Sequence, residues 1–424
     1  MERNSNRWQI EHTCPQCSAP VLLEDTDRIF NCPFCRVKLF ISTDSYFRYF
    51  IPPRIPPSEE MILVPYWRLR GMLFTIKLKQ TDSRYVDATL QGYNSKIYPL
   101  SLGVRPQAVK LKYLLPEMSP HFYLPVTPFK SIIPNIEKRV FHLDSARFSK
   151  NTPAIELIPD LVFSHIFIGE SSALIYLPVG FLDGKMTDLV AETALESGEA
   201  AEGMNFTQYQ HWRLTFTPLL CPECGWDIQA DRKTLLLACR NCNSLWTGEG
   251  NKLLKHDYYI LPGKTGDVYL PFWMVTAEIG GTELTSYADL VRFANLPRVV
   301  KPGWEERPLF FWIPGFKIQP KVFLNTIRKS TISQPQTERG DRLPEGEILP
   351  LTISSNDLKD SIRLFLMDTA IPRKRFLPHA EDVKVRITSK EIVLVPFRED
   401  HGEYLQREMH ITLGKNLLRF GENL

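Results

Sequence analysis

A chain of 424 residues is longer than one hydrophobic core commonly supports, and a hydrophobic content of 43% with 11% aromatic residues excludes a disordered or low-complexity protein. A formal charge of +3 falls far below the basic surplus of a dedicated nucleic-acid binder, and 33 prolines against 22 glycines argue for short strands and rigid turns over long helical bundles. All eight cysteines stand in C-x-x-C pairs, so none is left over as a nucleophile, and in a reducing compartment such pairs are metal ligands or redox dithiols.

The chain opens on a polar stretch, Met1 to Gln9, without the apolar centre of an export signal. The longest apolar runs, Leu174 to Leu182 and Leu309 to Phe316, are short and contain proline, so no membrane span and a cytoplasmic location are expected. Residues 1–50 carry the first cysteine set: Cys14 and Cys17 in CPQC, then Cys32 and Cys35 in CPFC. Two residues inside a pair let one tight turn present both sulfurs to an ion while backbone N–H groups point at the thiolates. The fourteen residues between pairs suffice for a hairpin that brings the second turn beside the first.

Residues 51–200 read as a β-rich domain. Met61 to Leu69 and Ala173 to Phe181 are rich in β-branched, leucine and aromatic residues and are expected strands, the second leading into a hairpin turn at Asp183-Gly184. Each contains a proline, Pro65 and Pro178, which implies an edge or a bend. The basic run Arg68 to Lys79 is expected on a solvated face, with a phosphate-binding patch as its alternative, and Asp188 to Ala201 has helical composition. The boundary between the two parts of the chain falls near residues 195–215.

Residues 201–257 form a linker and a second cysteine set: Cys221 and Cys224 in CPECG, Cys239 and Cys242 in CRNC. Its spacing repeats the first, each cysteine lying 207 positions after its counterpart (14 to 221, 17 to 224, 32 to 239, 35 to 242). Gly225 and Asn243 suit the left-handed conformation such turns need, which Ser18 and Arg36 tolerate less easily. A redox dithiol comes singly near a strand–helix junction, which four pairs in two identical frames do not match. Both sets therefore predict zinc, one ion per quartet, and four thiolates leave no open position for water or substrate, so the ions are structural. In these residues the chain resembles the zinc-ribbon family of transcription factors, RNA polymerase subunits and the primosomal helicase, over about 24 residues per ribbon. That resemblance implies a metal and a small hairpin fold; its members bind DNA, RNA or protein, so it fixes no single function.

Residues 258–424 read as a second β-rich domain. Val268 to Trp273, with Pro271, and Glu391 to Phe397, with Pro396, are expected strands, followed by a turn at His401-Gly402. The repeat continues past the cysteines: Pro65-Tyr66-Trp67 corresponds to Pro271-Phe272-Trp273, Lys130 to Lys317, and Pro178 to Pro396, at shifts of 206, 187 and 218. The last jump coincides with a polar stretch, 329–347, that reads as an inserted flexible loop. Ser286 to Ala294 and Ser355 to Asp368 carry helical spacing, the second capped by Asn356 or Asp357. The predicted fold class is thus α+β, mainly β: two tandem copies of a zinc ribbon followed by a β-rich domain.

Chemistry is harder to find. Gly263-Lys264-Thr265 lacks the earlier glycine of a phosphate loop, Tyr258 standing in its place, and reads as a turn. Tyr66-Trp67 and Phe272-Trp273 read as core. His12 and His256 flank the ribbons and read as loop residues, with support of a thiolate as the alternative. No acid–base pair can be nominated. Residues 11–50 net −1 (Arg28, Arg36, Lys38, Arg48 against Glu11, Glu24, Asp25, Asp27, Asp44), and near-neutral ribbons supply little of the counterion release that drives phosphate binding. The expected function is a non-catalytic, zinc-binding scaffold or adaptor for a protein partner in a larger assembly. A nucleic-acid-binding or transcription-associated role, resting on the family resemblance and on the runs Arg68 to Lys79 and Arg373 to Arg375, is the first alternative; an enzyme with its site between the halves is the second.

Overall fold

The computed structural model describes residues 8–44, 46–56, 61–93, 95–103, 109–115, 121–127, 132, 162–169, 173–195, 206–207, 213–249 and 252–421. The architecture is mainly β, 44% strand and 16% helix. In the first part β1 (Gln9–Thr13) and β2 (Pro20–Glu24) form a hairpin, as do β3 (Ile29–Asn31) and β4 (Lys38–Thr43), followed by β5 (Phe47–Phe50). The long strand β6 (Ile62–Lys77) then organises the sheet. Around it lie β7 (Thr81–Gln91), β8 (Leu111–Tyr113), β9 (His121–Tyr123), β10 (Val162–Ile168), β11 (Ala173–Leu182), β12 (Lys185–Asp188), β13 (Thr193–Ala194) and β14 (Phe206–Thr207). The result is a 12-stranded sheet in which β6 pairs with β7, β9, β10 and β11. Every interior position of β6 is buried, which explains why its sequence is mostly apolar on both faces and not an alternation, with Arg68, Arg70 and Thr75 as its buried polar members. Gly71 sits in its middle because a side chain there would meet the β10 backbone: a Cβ would lie 2.7 Å from the Ile168 carbonyl oxygen.

The second part begins with β15 (Leu214–Pro218), then a three-stranded unit of β16 (Leu236–Cys239), β17 (Ser244–Glu249) and β18 (Lys252–His256). After β19 (Tyr258–Ile260) comes the long β20 (Val268–Ile279), then α1 (Tyr287–Phe293), β21 (Phe311–Pro314), α2 (Pro320–Ser333) and β22 (Glu338–Arg339). The chain closes with α3 (Leu358–Thr369), the short α4 (Arg373–Phe376), β23 (Val385–Asp400), β24 (Glu403–Gln406), β25 (Ile411–Gly414) and α5 (Lys415–Gly421). Its seven-stranded sheet runs β21-β20-β23-β19-β22, with β24 and β25 extending from β23. Among the described residues no helix is long and apolar enough to cross a membrane.

Both expected helices are present. Ser286 caps α1 in a capping box with Asp289, and α3 is entered through a 3-10 turn whose box is made by Ser354 and Asp357. Two of the element assignments fail. Asp188 to Ala194 is no helix: the Asp188 carboxylate accepts the Val190 and Ala191 amides, closing the turn into β13, and residues 196–201 lie outside the described set. The loop expected over 329–347 begins only after Ser333, because α2 buries Phe323, Leu324, Ile327, Ser330 and Thr331. Two hydroxyl residues complete that buried stripe, Ser330 donating to the Trp312 carbonyl oxygen, so the pattern did not read as apolar.

The strand pair β6·β11 and the strand pair β20·β23 share one register. Trp67 lies opposite Leu174 and Trp273 opposite Ile392; Leu63 lies opposite Pro178 and Tyr269 opposite Pro396. The parallel neighbour repeats too, with Tyr49 beside Ile175 and Tyr259 beside Val393. Both hairpins that follow turn through two residues of positive φ, Asp183 (51°) with Gly184 (73°) and His401 (45°) with Gly402 (84°), as a two-residue turn matched to strand twist requires. Correspondence holds as far as β13 and β25, entered through Glu192 and His410, again both at positive φ.

The four strand prolines occupy central strands, not edges, yet each removes no ladder bond. Pro65 and Pro271 accept from Gly92 and Gly315 through their carbonyls, at the point where the ladders to β7 and β21 end. Pro178 accepts from the Leu189 amide just past the end of the β11·β12 ladder, and Pro396 from the Gln406 side chain at the matching place. In each strand the missing N–H thus faces a side where pairing has stopped.

The two parts are joined by apolar contact. One continuous core holds Met72, Phe74, Ile76, Ile166 and Ile168 from β6 and β10 together with Phe323, Ile327, Phe365 and the inner faces of β20 and β23. At the rim the Gly169 amide donates to Asp357, and the Arg373 guanidinium donates to the Lys77 and Leu78 carbonyls. A second joint binds the cysteine-bearing regions: β15, which leads into the second, pairs antiparallel with β4 of the first over five residue pairs. Ile29 and Phe40 pack there with Leu219, Ile228, Leu237 and Trp246.

Candidate metal centres

Each cysteine pair sits on a tight turn, three of them between two strands and the Cys221 pair between the bridged residues Leu220 and Asp227. The Ser18 amide returns to the Cys14 carbonyl, Arg36 to Cys32 and Gly225 to Cys221, which folds the pair so that both sulfurs face one point. The residue after every pair has positive φ: Ser18 at 59°, Arg36 at 63°, Gly225 at 71° and Asn243 at 57°. Two of these are residues for which that conformation is costly, so the turn geometry overrides local preference at Ser18 and Arg36.

The turns bring the sulfurs together. In each quartet the four Sγ atoms all lie within 4.8 Å of one another. Cys14 and Cys35 are 3.7 Å apart, Cys17 and Cys32 3.7 Å, Cys221 and Cys242 3.5 Å, and Cys224 and Cys239 3.6 Å. A tetrahedral ion with metal–sulfur bonds of about 2.3 Å spaces its sulfurs by about 3.8 Å, close to all four separations. None of the eight is in a disulfide. Cys14, Cys32, Cys221 and Cys239 are buried, Cys17, Cys35 and Cys224 are exposed and Cys242 is half-buried, so each ion position has one side in the fold and one near solvent.

The thiols also show the conflict that a cation would resolve. Burial opposes the Cys32 thiolate, but the amides of Cys35 and Phe34 and the adjacent thiols bring it down to about 6. At Cys35 the Val37 amide favours ionisation, yet burial and three neighbouring sulfurs outweigh it and push the thiol up to about 12. Cys221 and Cys239 divide in the same way, to about 6 and about 12. Four adjacent thiolates repel, and a dication at their centre lets all of them ionise.

Around the second quartet side chains add donors. Asn241 donates from Nδ2 to Cys224 Sγ at 3.4 Å, and the Ser244 hydroxyl lies 3.0 Å from Cys242 Sγ and 3.6 Å from Cys221 Sγ. Trp246 Nε1 donates to that hydroxyl at 2.8 Å, and the Lys255 ammonium holds the Glu223 carboxylate beside Cys242.

The other residues singled out in the sequence fall elsewhere. His12 stacks on Phe216 (5.1 Å between ring centroids) and meets Phe30 and Tyr113 edge-on, and burial lowers its pKa; His256 bonds Thr247 Oγ1 at 2.7 Å and abuts Trp273. Both stand on strands, not loops. Gly263-Lys264-Thr265 is a turn, its Lys264 amide tied to Asp267, and a strand follows it, not a helix. Tyr66, Trp67, Phe272 and Trp273 are core residues. The run from Arg68 is neither a solvated face nor a phosphate patch at its start: Arg68 and Arg70 are buried, both hold the Asp25 carboxylate, and the Arg68 guanidinium lies 3.3 Å over the Trp8 ring. Arg373 is likewise engaged with the first part of the chain.

Sequence reasoning missed the polar seam between the cysteine regions. Asp27 pairs with Arg232, Glu24 with Lys233 at 3.3 Å, and the amides of Arg28 and Ile29 both donate to the Arg232 carbonyl. Nothing in a linear sequence joins partners some two hundred positions apart, although both members of each pair lie inside the repeated cysteine frames. No family model, no curated protein and no solved structure matches the chain.

Proposed function

We propose that the chain is a zinc-stapled scaffold: two tandem copies of a zinc ribbon and a β-rich domain, each ribbon closed by one structural zinc, presenting surfaces to a protein partner in a larger assembly. Cys14, Cys17, Cys32 and Cys35 are the ligands of one ion, and Cys221, Cys224, Cys239 and Cys242 of the other. The observation that carries this reading is the pair of four-sulfur clusters with tetrahedral spacing, each built on two turns of identical left-handed closure. Thiolate softness favours zinc among common divalent ions, and a closed set of four confines it to a structural role. A reducing compartment, the cytoplasm, keeps such thiols available.

The adaptor role is supported by the shared apolar core between the parts and by engagement of Arg68, Arg70 and Arg373 inside the fold, which removes three of the charges that a phosphate-binding surface would use. Elemental analysis of the purified chain should give two zinc ions. Cys14→Ala and Cys221→Ala should each lower that to about one, with loss of a binding term on the order of 10 kcal/mol at the altered ribbon. A content that stays at two in either variant refutes the ligand assignment. Affinity purification from the native cell at rising salt tests the partner: a protein retained after nuclease treatment supports the scaffold, whereas nucleic acid retained only at low salt supports the transcription-associated reading instead.

A further inference from the structure

The repeat supplies an internal control, since one fold holds two sulfur quartets with the same backbone closure and different side chains around them. In the second ribbon the Trp246 indole N–H can only donate, so it fixes the Ser244 oxygen as its acceptor at 2.8 Å and leaves the single hydroxyl proton for the Cys242 sulfur 3.0 Å away. Asn241 supplies a further donor to Cys224. At the corresponding places of the first ribbon, 207 positions earlier, stand Phe34, Val37 and Leu39, none of which has a side-chain donor. Phe34 is 65% exposed and shields no sulfur by a hydrogen bond, while Cys17 and Cys35 are open to solvent. Backbone amides bond thiols in both quartets, Val37 to Cys35 and Trp226 to Cys224 among them, so the two differ in their side-chain donors. A hydrogen bond to a thiolate withdraws electron density from sulfur and lowers its nucleophilicity, so the quartet without those side-chain donors is the more reactive one.

We propose that the first ribbon is an oxidation site for hydroperoxides, with Cys17 and Cys35 the sulfurs first oxidised and the second ribbon the resistant copy. This rests on the reading of both quartets as zinc thiolates. The Cys35 sulfur attacks one oxygen of hydrogen peroxide: an S–O bond forms, the O–O bond breaks, and hydroxide leaves. The Cys14 thiolate, 3.7 Å away, then attacks the oxidised sulfur, forming the S–S bond and expelling a second hydroxide. Cys17 and Cys32, also at 3.7 Å, permit the same course. Two thiolates have lost two electrons to one peroxide, both hydroxides take up protons from solvent as water, and the remaining pair of sulfurs no longer makes a closed four-coordinate site, so the first ribbon releases its ion.

The test uses the full chain carrying two zinc ions. It is exposed to limiting hydrogen peroxide while a chromophoric chelator follows free zinc; aliquots are quenched with N-ethylmaleimide and the eight cysteines read by peptide mass spectrometry. One zinc per chain should leave with oxidation confined to Cys14, Cys17, Cys32 and Cys35, and the second should follow on the order of tenfold more slowly. Asn241→Ala with Ser244→Ala should bring the two phases together; should the double variant fold poorly, Asn241→Ala alone, at an exposed position, should narrow the gap. Equal rates in the unaltered chain, earlier oxidation of the second ribbon, or a gap untouched by the variants overturns the proposal. A starting content below two zinc ions instead overturns the metal reading on which it rests.

Discussion

Arg68 and Arg70 leave the long strand β6 for the interior and find Asp25 there, on the turn after β2. Burial alone would raise the Asp25 pKa, but the two guanidinium groups outweigh it and hold the carboxyl below its ordinary range. A carboxylate with a depressed folded pKa contributes stability that is complete above the unfolded value and is lost as pH falls through the folded one. Its contribution should therefore disappear only in acid, below about pH 4. Asp27 beside it has the opposite sign: burial, the largest effect, raises its pKa despite Arg232, so protonation of Asp27 offsets part of the loss. We predict that Asp25→Asn flattens the acid limb of stability against pH, measured by urea unfolding between pH 3 and 7, and that Arg68→Ala costs about 3–5 kcal/mol, because it strips a buried carboxylate of one partner and uncovers Trp8. A loss below about 1 kcal/mol for Arg68→Ala would place the pair at an exposed site, contrary to its burial. The sequence showed these arginines as the head of a basic run. It could not show their direction, since a strand buried on both faces has no polar side to which charge can be assigned. The cysteines were legible for the contrary reason, as spacing of two and fourteen is itself the geometry.

At the scale of elements, local chemistry was readable wherever a turn or cap acts within a few residues and obscure wherever burial decides. The Asp183-Gly184 and His401-Gly402 turns announce themselves by composition, whereas α2 was hidden because Ser330 and Thr331 complete its inner face through hydrogen bonds to the Trp312 carbonyl. The prolines misled in an instructive way: all four strands are central, and only the local end of one ladder makes each position tolerable. The two hairpins permit a clean measurement. A Cβ at Gly402 would meet no atom within 4 Å, so Gly402→Ala should cost about 1 kcal/mol from positive φ alone, and His401→Asn, which prefers that conformation, should recover a few tenths. Thermal unfolding of both variants checks the pair. If Gly402→Ala is neutral, the turn has another geometry in solution.

For the molecule as a whole the repeated spacing was visible in the sequence and the joining of the two parts was not. Shifts of 206 and 218 between landmarks reappear as one shared strand register, because both are statements about order along the chain. Which part of the chain covers the outer half of β6 is a statement about long-range packing, and the largely apolar stretch from Met72 to Ile76 reads the same whichever part supplies the cover. The structure covers it with α2 and α3: Phe74 is fully buried, 6.4 Å from the Phe323 ring across the joint. The consequence is a stability that belongs to the pair. Phe74→Ala should cost about 3–5 kcal/mol, as for any large aromatic removed from a packed core. Because the lost contacts lie on residues more than two hundred positions downstream, the loss should appear equally when unfolding is followed through the second part, for instance by hydrogen exchange of α2. Chains cut near residue 207 extend the argument. Expressed together, 1–207 and 208–424 should copurify through the β4·β15 ladder and the shared core; expressed apart, each exposes the apolar face that the other covers, and should aggregate. Two soluble, separately folded fragments with no affinity for one another would mean that the common core is not a cooperative unit.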